Sequence, residues 1–92
     1  MFRRRRWLHR GLIDSDEGFC VALGRDLLVY GEGNRRMSVT IDFGADQVNV
    51  FQISIGRWDD NPQVAIGNTE RLRIADNIKR AIESQGLTFN LM

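Results

Sequence analysis

The chain has very little of the usual chemistry of enzymes. There is one cysteine and one histidine in 92 residues. A lone Cys20 excludes an internal disulfide, and its place inside the apolar Phe19-Cys20-Val21-Ala22-Leu23 favours a buried structural thiol over a reactive one. With one His and one Cys, a zinc site has too few ligands. Nucleophilic catalysis needs a base within reach, and the one histidine, His9, sits in the mobile-looking basic arm. No apolar run approaches the roughly 18 residues of a membrane span. The N-terminus starts basic, but charge interrupts Trp7-Leu8-His9-Arg10-Gly11-Leu12-Ile13-Asp14 before a secretory h-region can form. There are no repeats and no low-complexity linker. These features lead us to expect a cytoplasmic protein without membrane, metal or cofactor.

What is present is an ordinary globular composition, 42% hydrophobic and 27% charged. One domain and one core are what this length supports. The net charge of +1 hides an asymmetry. Residues 1–10 hold five arginines (Arg3, Arg4, Arg5, Arg6, Arg10) and no acid. The remaining residues hold eight Lys+Arg against twelve Asp+Glu, a balance of 8 − 12 = −4. Residues 1–18 therefore read as a basic, solvated arm closed by the turn-forming Asp14-Ser15-Asp16-Glu17-Gly18. Residues 19–92 read as the folded domain.

Within that domain the periodicity predicts strands, then a helix. Phe19–Leu23 and Leu27–Tyr30 form a pair around Gly24-Arg25-Asp26. Gly31-Glu32-Gly33-Asn34 is a turn; it lacks the Lys-Ser/Thr of a phosphate loop. Over 36–43, Met37, Val39, Ile41 and Phe43 alternate with polar residues, the pattern of a strand with one buried face. Residues 47–55 form a second long strand whose phase slips: Val48 and Val50 share one face, Phe51, Ile53 and Ile55 the other. A central strand buried on both faces accommodates this better than a bulge near Val50. After an irregular loop, Asn68 or Thr69 caps a helix. Its stripe is Leu72, Ala75, Ile78 and Ile82, widened by Ile74 and Ala81. Gly86 stops it, and Leu87–Leu91 alternates as a short edge strand. The fold class expected is α+β: an antiparallel meander of about four to five strands packed against one C-terminal amphipathic helix.

Three constellations compete for function. Asp59-Asp60 pairs two carboxylates, which can hold Mg²⁺ or act as acid and base, although adjacent loop acids usually point apart. Arg3–Arg6 with Trp7 has the makings of a nucleic-acid anchor, neutralising phosphates and stacking on a base, but the acidic body behind it would repel the same backbone. Trp58 is either a cap on the core or an interface anchor rimmed by Arg57, Asp59 and Asp60.

The run Val50-Phe51-Gln52-Ile53-Ser54-Ile55, then Arg57-Trp58-Asp59-Asp60-Asn61-Pro62, then the capped helix Asn68–Ile78 and Gly86, resembles the immunity protein 74 family of bacterial polymorphic-toxin and contact-dependent-inhibition systems. The likeness spans about residues 36–86 and leaves out the basic arm. It implies a non-enzymatic inhibitor that binds the C-terminal domain of a cognate secreted toxin, often a nuclease, in the cytoplasm. An acidic body would suit a nuclease's basic surface. The residues expected to meet the toxin are Arg57, Trp58, Asp59, Asp60, Asp42 and Asp46. The rival reading is a small nucleic-acid-binding protein using Arg3, Arg4, Arg5, Arg6 and Trp7.

Overall fold

A computed structural model describes residues 2–5 and 12–92. Among these residues are seven strands in one sheet, in chain order from edge to edge, and one α-helix. The strands are β1 (Phe2–Arg5), β2 (Leu12–Ser15), β3 (Phe19–Leu23), β4 (Leu27–Glu32), β5 (Arg35–Phe43), β6 (Gln47–Val50) and β7 (Thr88–Leu91); the helix α1 spans Asn68–Ser84. Neighbours from β1 to β6 pair antiparallel, and β6 pairs with β7 in parallel. The α+β class and the C-terminal helix are as expected, with more strands than the four to five anticipated.

Alternation dictates the core. One face of the sheet presents Ile13, Phe19, Val21, Leu28, Tyr30, Met37, Val39, Ile41, Val48 and Val50, all buried. Helix α1 lays Ile74, Ala75, Ile78, Ala81 and Ile82 across that face. Each such aliphatic side chain withdrawn from water contributes about 1.5–3 kcal/mol against chain entropy. At the β4–β5 turn Gly33 has φ +62° while Asn34 keeps a negative φ. That is the sign pattern of a type II′ hairpin, which matches strand twist and favours glycine at the first central position.

Four expectations need correction. The basic arm is not outside the fold: its described residues supply β1 and β2, with Arg3 opposite Asp14 and Arg4 opposite Ile13. Ile13 is buried, so this segment reaches the core despite its charge. Arg6, Trp7, His9 and Arg10 lie outside the described residues.

Residues 47–55 are not one central strand. β6 stops at Val50 and the chain turns through a short 3-10 helix, Gln52–Ser54. The cause is Ser54. Its hydroxyl accepts from Thr40 N–H at 2.9 Å and donates to Phe51 C=O at 2.6 Å, satisfying the β5 backbone where a longer β6 would have done so. The phase slip is the strand's end: Ile53 is 90% exposed while Ile55 is fully buried.

The helix cap is Gly67, with no side-chain capping bond from Asn68 or Thr69, which already lie inside the helix. Leu72 is 54% exposed. At 100° per residue it lies roughly 120° from Ile78, off the buried stripe. Arg71 falls nearer the stripe's centre, and its Nε donates to Ile55 C=O at 3.2 Å. No helix among the described residues is long and apolar enough to cross a membrane.

Candidate protein-binding surface

The residues proposed from sequence divide into two groups. β5 separates them. Asp59 N–H donates to Arg36 C=O at 2.7 Å, and Asp60 pairs with Arg35 at 3.5 Å, so both acids sit at the start of β5. Asp42 lies near its end and Asp46 in the turn beyond. Seven residues of extended chain from Arg35 to Asp42 span roughly 23 Å. Asp42, Asp46, Arg57, Asp59 and Asp60 are all exposed, but they do not form one patch.

Trp58 belongs to the core. It is 3% exposed, tilted against Tyr30 at 6.1 Å between ring centres, with the Arg35 guanidinium 4.4 Å over its own ring. Its Nε1 donates to Glu70 Oε2 at 2.9 Å, so the loop indole pins the first turn of α1. Of its two sequence readings, the core cap is the one the structure shows, and its side chain offers no surface to a partner. Arg57 Nη1 is turned back on its own loop, donating to Pro62 C=O at 3.0 Å. No group of three or more His, Cys, Asp or Glu among the described residues is placed to hold a metal ion, Asp59-Asp60 included.

A chain of polar contacts continues from Trp58 along the sheet–helix seam. Glu32 accepts both Arg73 Nη1 and Nη2, and also Tyr30 OH at 2.8 Å. The Arg73 bond, with help from Tyr30, holds the Glu32 carboxyl below the usual carboxylate range against the opposing pull of its partial burial. Tyr30 OH accepts from Asn77 Nδ2 at 2.9 Å, and burial pushes its phenol up to about 12. Asn77 Oδ1 in turn accepts from Arg80, which also pairs with Glu17 at 2.7 Å in the β2–β3 turn. Every member is engaged by a neighbour, so this network clamps α1 to β4 and β3. Arg80 Nε is buried without a hydrogen bond, 3.4 Å from Asp76 Oδ2, and the hydrogen-bonded remainder of the network specifies packing.

The opposite end of the sheet differs. Ile41 N–H donates to Asp26 C=O, which sets the Gly24–Asp26 turn beside the end of β5. Thr88 N–H donates to Asp46 C=O, which adds the start of β7. Asp26, Asp42 and Asp46 are thereby gathered on adjacent segments, all exposed. Leu27 is exposed on the same face as Asp42, Phe43 is exposed at the same end on the core face, and Ile53 and Met92 are exposed near the Gln52 N–H to Met92 C=O bond, on the β6 flank of β5. Asp26, Leu27, Phe43, Ile53 and Met92 were missed by sequence reasoning. Only the β4–β5 register, Leu27 opposite Thr40, brings the β3–β4 turn next to Asp42. These exposed apolar side chains and acids make this end of the sheet the candidate surface. Comparison with protein-family models, curated proteins and solved structures finds no match to this chain.

Proposed function

We propose that this chain is an immunity protein: a stoichiometric binder, not an enzyme, that neutralises the C-terminal domain of a cognate secreted toxin in the cytoplasm. The observation that carries the reading is the turn end of the sheet, where exposed Asp26, Asp42 and Asp46 lie on adjacent segments, with exposed Leu27 on the same face as Asp42 and exposed Phe43 at the same end on the core face. Such a surface complements a basic, partly apolar groove, and a nuclease presents one to its substrate. Complementary charge speeds encounter and the apolar side chains slow departure. The −4 balance of residues 11–92 adds to the same field. The likeness of residues 36–86 to the immunity protein 74 pattern points the same way.

The rival nucleic-acid reading relies on a basic arm free to follow a phosphate backbone. The backbone of Arg3–Arg5 is instead paired in β1, with Asp14 across from Arg3. The protein-binding reading is the better supported for that reason.

The test is co-expression with the toxin domain encoded beside this chain. Protection from growth arrest is expected, and the triple variant Asp26→Lys, Asp42→Lys, Asp46→Lys should lose it while folding normally. Absence of protection by the unaltered chain sinks the proposal.

A further inference from the structure

We propose that β7 is a self-complementary edge through which two copies of this chain pair into a twofold dimer with one continuous sheet. This goes beyond the inhibitor reading and stands without it.

The hydrogen-bond phase of β7 is set by its neighbours. Thr88 N–H donates to Asp46 C=O, Met92 N–H donates to Val50 C=O, and Gln52 N–H donates to Met92 C=O. The residues in register with β6 at even positions therefore turn both backbone groups inward. Phe89 and Leu91 turn theirs to the open side, where no hydrogen bond to either backbone is formed among the described residues. Unpaired edge groups are a template for another strand.

Sheet edges are normally protected by charge, proline or a bulge. The strand Thr88-Phe89-Asn90-Leu91 has none of these. The other edge does: β1 carries Arg3, Arg4 and Arg5 in succession. Two β1 strands brought together antiparallel set arginine opposite arginine in every register that pairs more than two residues of each strand, and like charges directly opposite are destabilising. Pairing β1 of one copy with β7 of the next is head-to-tail and closes only if its rotation returns to the first copy, whereas a twofold β7–β7 contact closes with two copies. The β7–β7 contact alone is both uncharged and closed, which is why the occupant is a second copy.

The register follows. An antiparallel pair centred on Asn90 sets Phe89 opposite the partner's Leu91 and the reverse, with four backbone hydrogen bonds between the outward groups. Phe89 and Leu91 are half-buried against the core, so their mutual contact would extend that core across the twofold axis. On the open face Asn90 meets Asn90 of the partner subunit, and exposed Met92 meets the partner's Thr88. A non-hydrogen-bonded antiparallel pair brings the Cα atoms within about 4.5 Å, inside the range a disulfide spans.

Sedimentation equilibrium of the full chain up to millimolar concentration should show mass rising from 10.6 kDa toward twice that value. Asn90→Lys, on the exposed face, should weaken association by about fivefold or more. Mixing Asn90→Lys with Asn90→Asp should restore it as a heterodimer. Asn90→Cys in a Cys20→Ala background should form a spontaneous intersubunit disulfide, and Thr88→Cys should form far less. Circular dichroism establishes that each variant folds. A monomer at every concentration, an association untouched by Asn90→Lys, or a pairing seen only with a foreign strand would each overturn the proposal.

Discussion

Replacing Tyr30 by Phe isolates the polar seam between sheet and helix, because the ring keeps its place while one oxygen is lost. That oxygen accepts from Asn77 Nδ2 and donates to Glu32. Glu32 retains both Arg73 bonds, so its loss is partly compensated. Among the described residues Asn77 is the only one in the polar and charged class that is buried, and its Nδ2 would be left without an acceptor. An orphaned buried donor costs about 1–3 kcal/mol. We therefore expect destabilisation of about 2 kcal/mol, which in a domain of this size lowers Tm by about 8–16 °C. The phenol also predicts a pH dependence. Its folded pKa is raised above the ordinary 10.0 to about 12, chiefly by burial. The folded state therefore holds this proton more tightly than the unfolded state. The associated stability is complete below about pH 10 and is lost as pH rises through about 12. Tyr30 is the only tyrosine, so the ultraviolet absorbance of tyrosinate titrates this group alone. Urea unfolding of the parent and the Tyr30→Phe variant across that window is the assay. A variant within 0.5 kcal/mol of the parent (the scatter of neutral surface changes), or a tyrosinate titration near the ordinary value, refutes the account of the seam.

Glu32→Gln should flatten the acid limb of stability. The parent carboxyl is held below its ordinary value by Arg73, so its contribution is present above that ordinary value and lost as pH falls through the depressed one; urea midpoints from neutral to acid pH measure it. Trp58→Phe should cost about 1–2 kcal/mol in thermal or urea unfolding, since it removes the bond to Glu70 and part of the Arg35 stacking. Gly86→Ala should cost about 1 kcal/mol in the same assay, because φ is +78° just past the helix end, a region that L side chains rarely adopt. Ile53→Ser should leave stability within about 0.5 kcal/mol, since the side chain is already in water, and should weaken toxin capture in a calorimetric titration if the open side of β5 is the binding surface.

Strict alternation was legible where one face of a strand is buried and the other wet. Phe19–Leu23 falls where expected and Arg35–Phe43 within one residue, because their burial pattern is set by the strand's own period. The helix was legible for the same reason, from Ile74, Ala75, Ile78, Ala81 and Ile82. What failed depended on residues far apart in the chain. Ser54 terminates β6 by bonding Thr40, fourteen positions earlier. Trp58 is drawn inward by Glu70, twelve positions later, although its immediate neighbours are charged. Phe2–Arg5 pairs as a strand although its composition is that of a solvated tail, since β2 supplies the partners and only a register can show that. The candidate site was divided for the same cause: local composition grouped Asp59-Asp60 with Trp58, while the sheet groups Asp42 and Asp46 with Asp26.

That regrouping changes which substitutions distinguish binding from folding. Asp59 and Asp60 sit beside Arg35 and Arg36, whose charges already offset theirs, and Asp60 is paired with Arg35. An exposed pair of that kind contributes about 0–1 kcal/mol to stability and little net field to an approaching protein. Among the described residues Asp42 and Asp46 form no ion pair, and they share their end of the sheet with Asp26, so the potential there is more negative, with Arg25 the only cation in the two turns. Reversing Asp42 and Asp46 should therefore slow association with a basic partner more than reversing Asp59 and Asp60, with the difference shrinking as salt is raised past the point where the Debye length falls below about 8 Å. Stopped-flow association rates for the two double variants at low and high salt decide it. Equal slowing, or a larger effect from the Asp59 and Asp60 pair, would return the binding surface to the Trp58 loop.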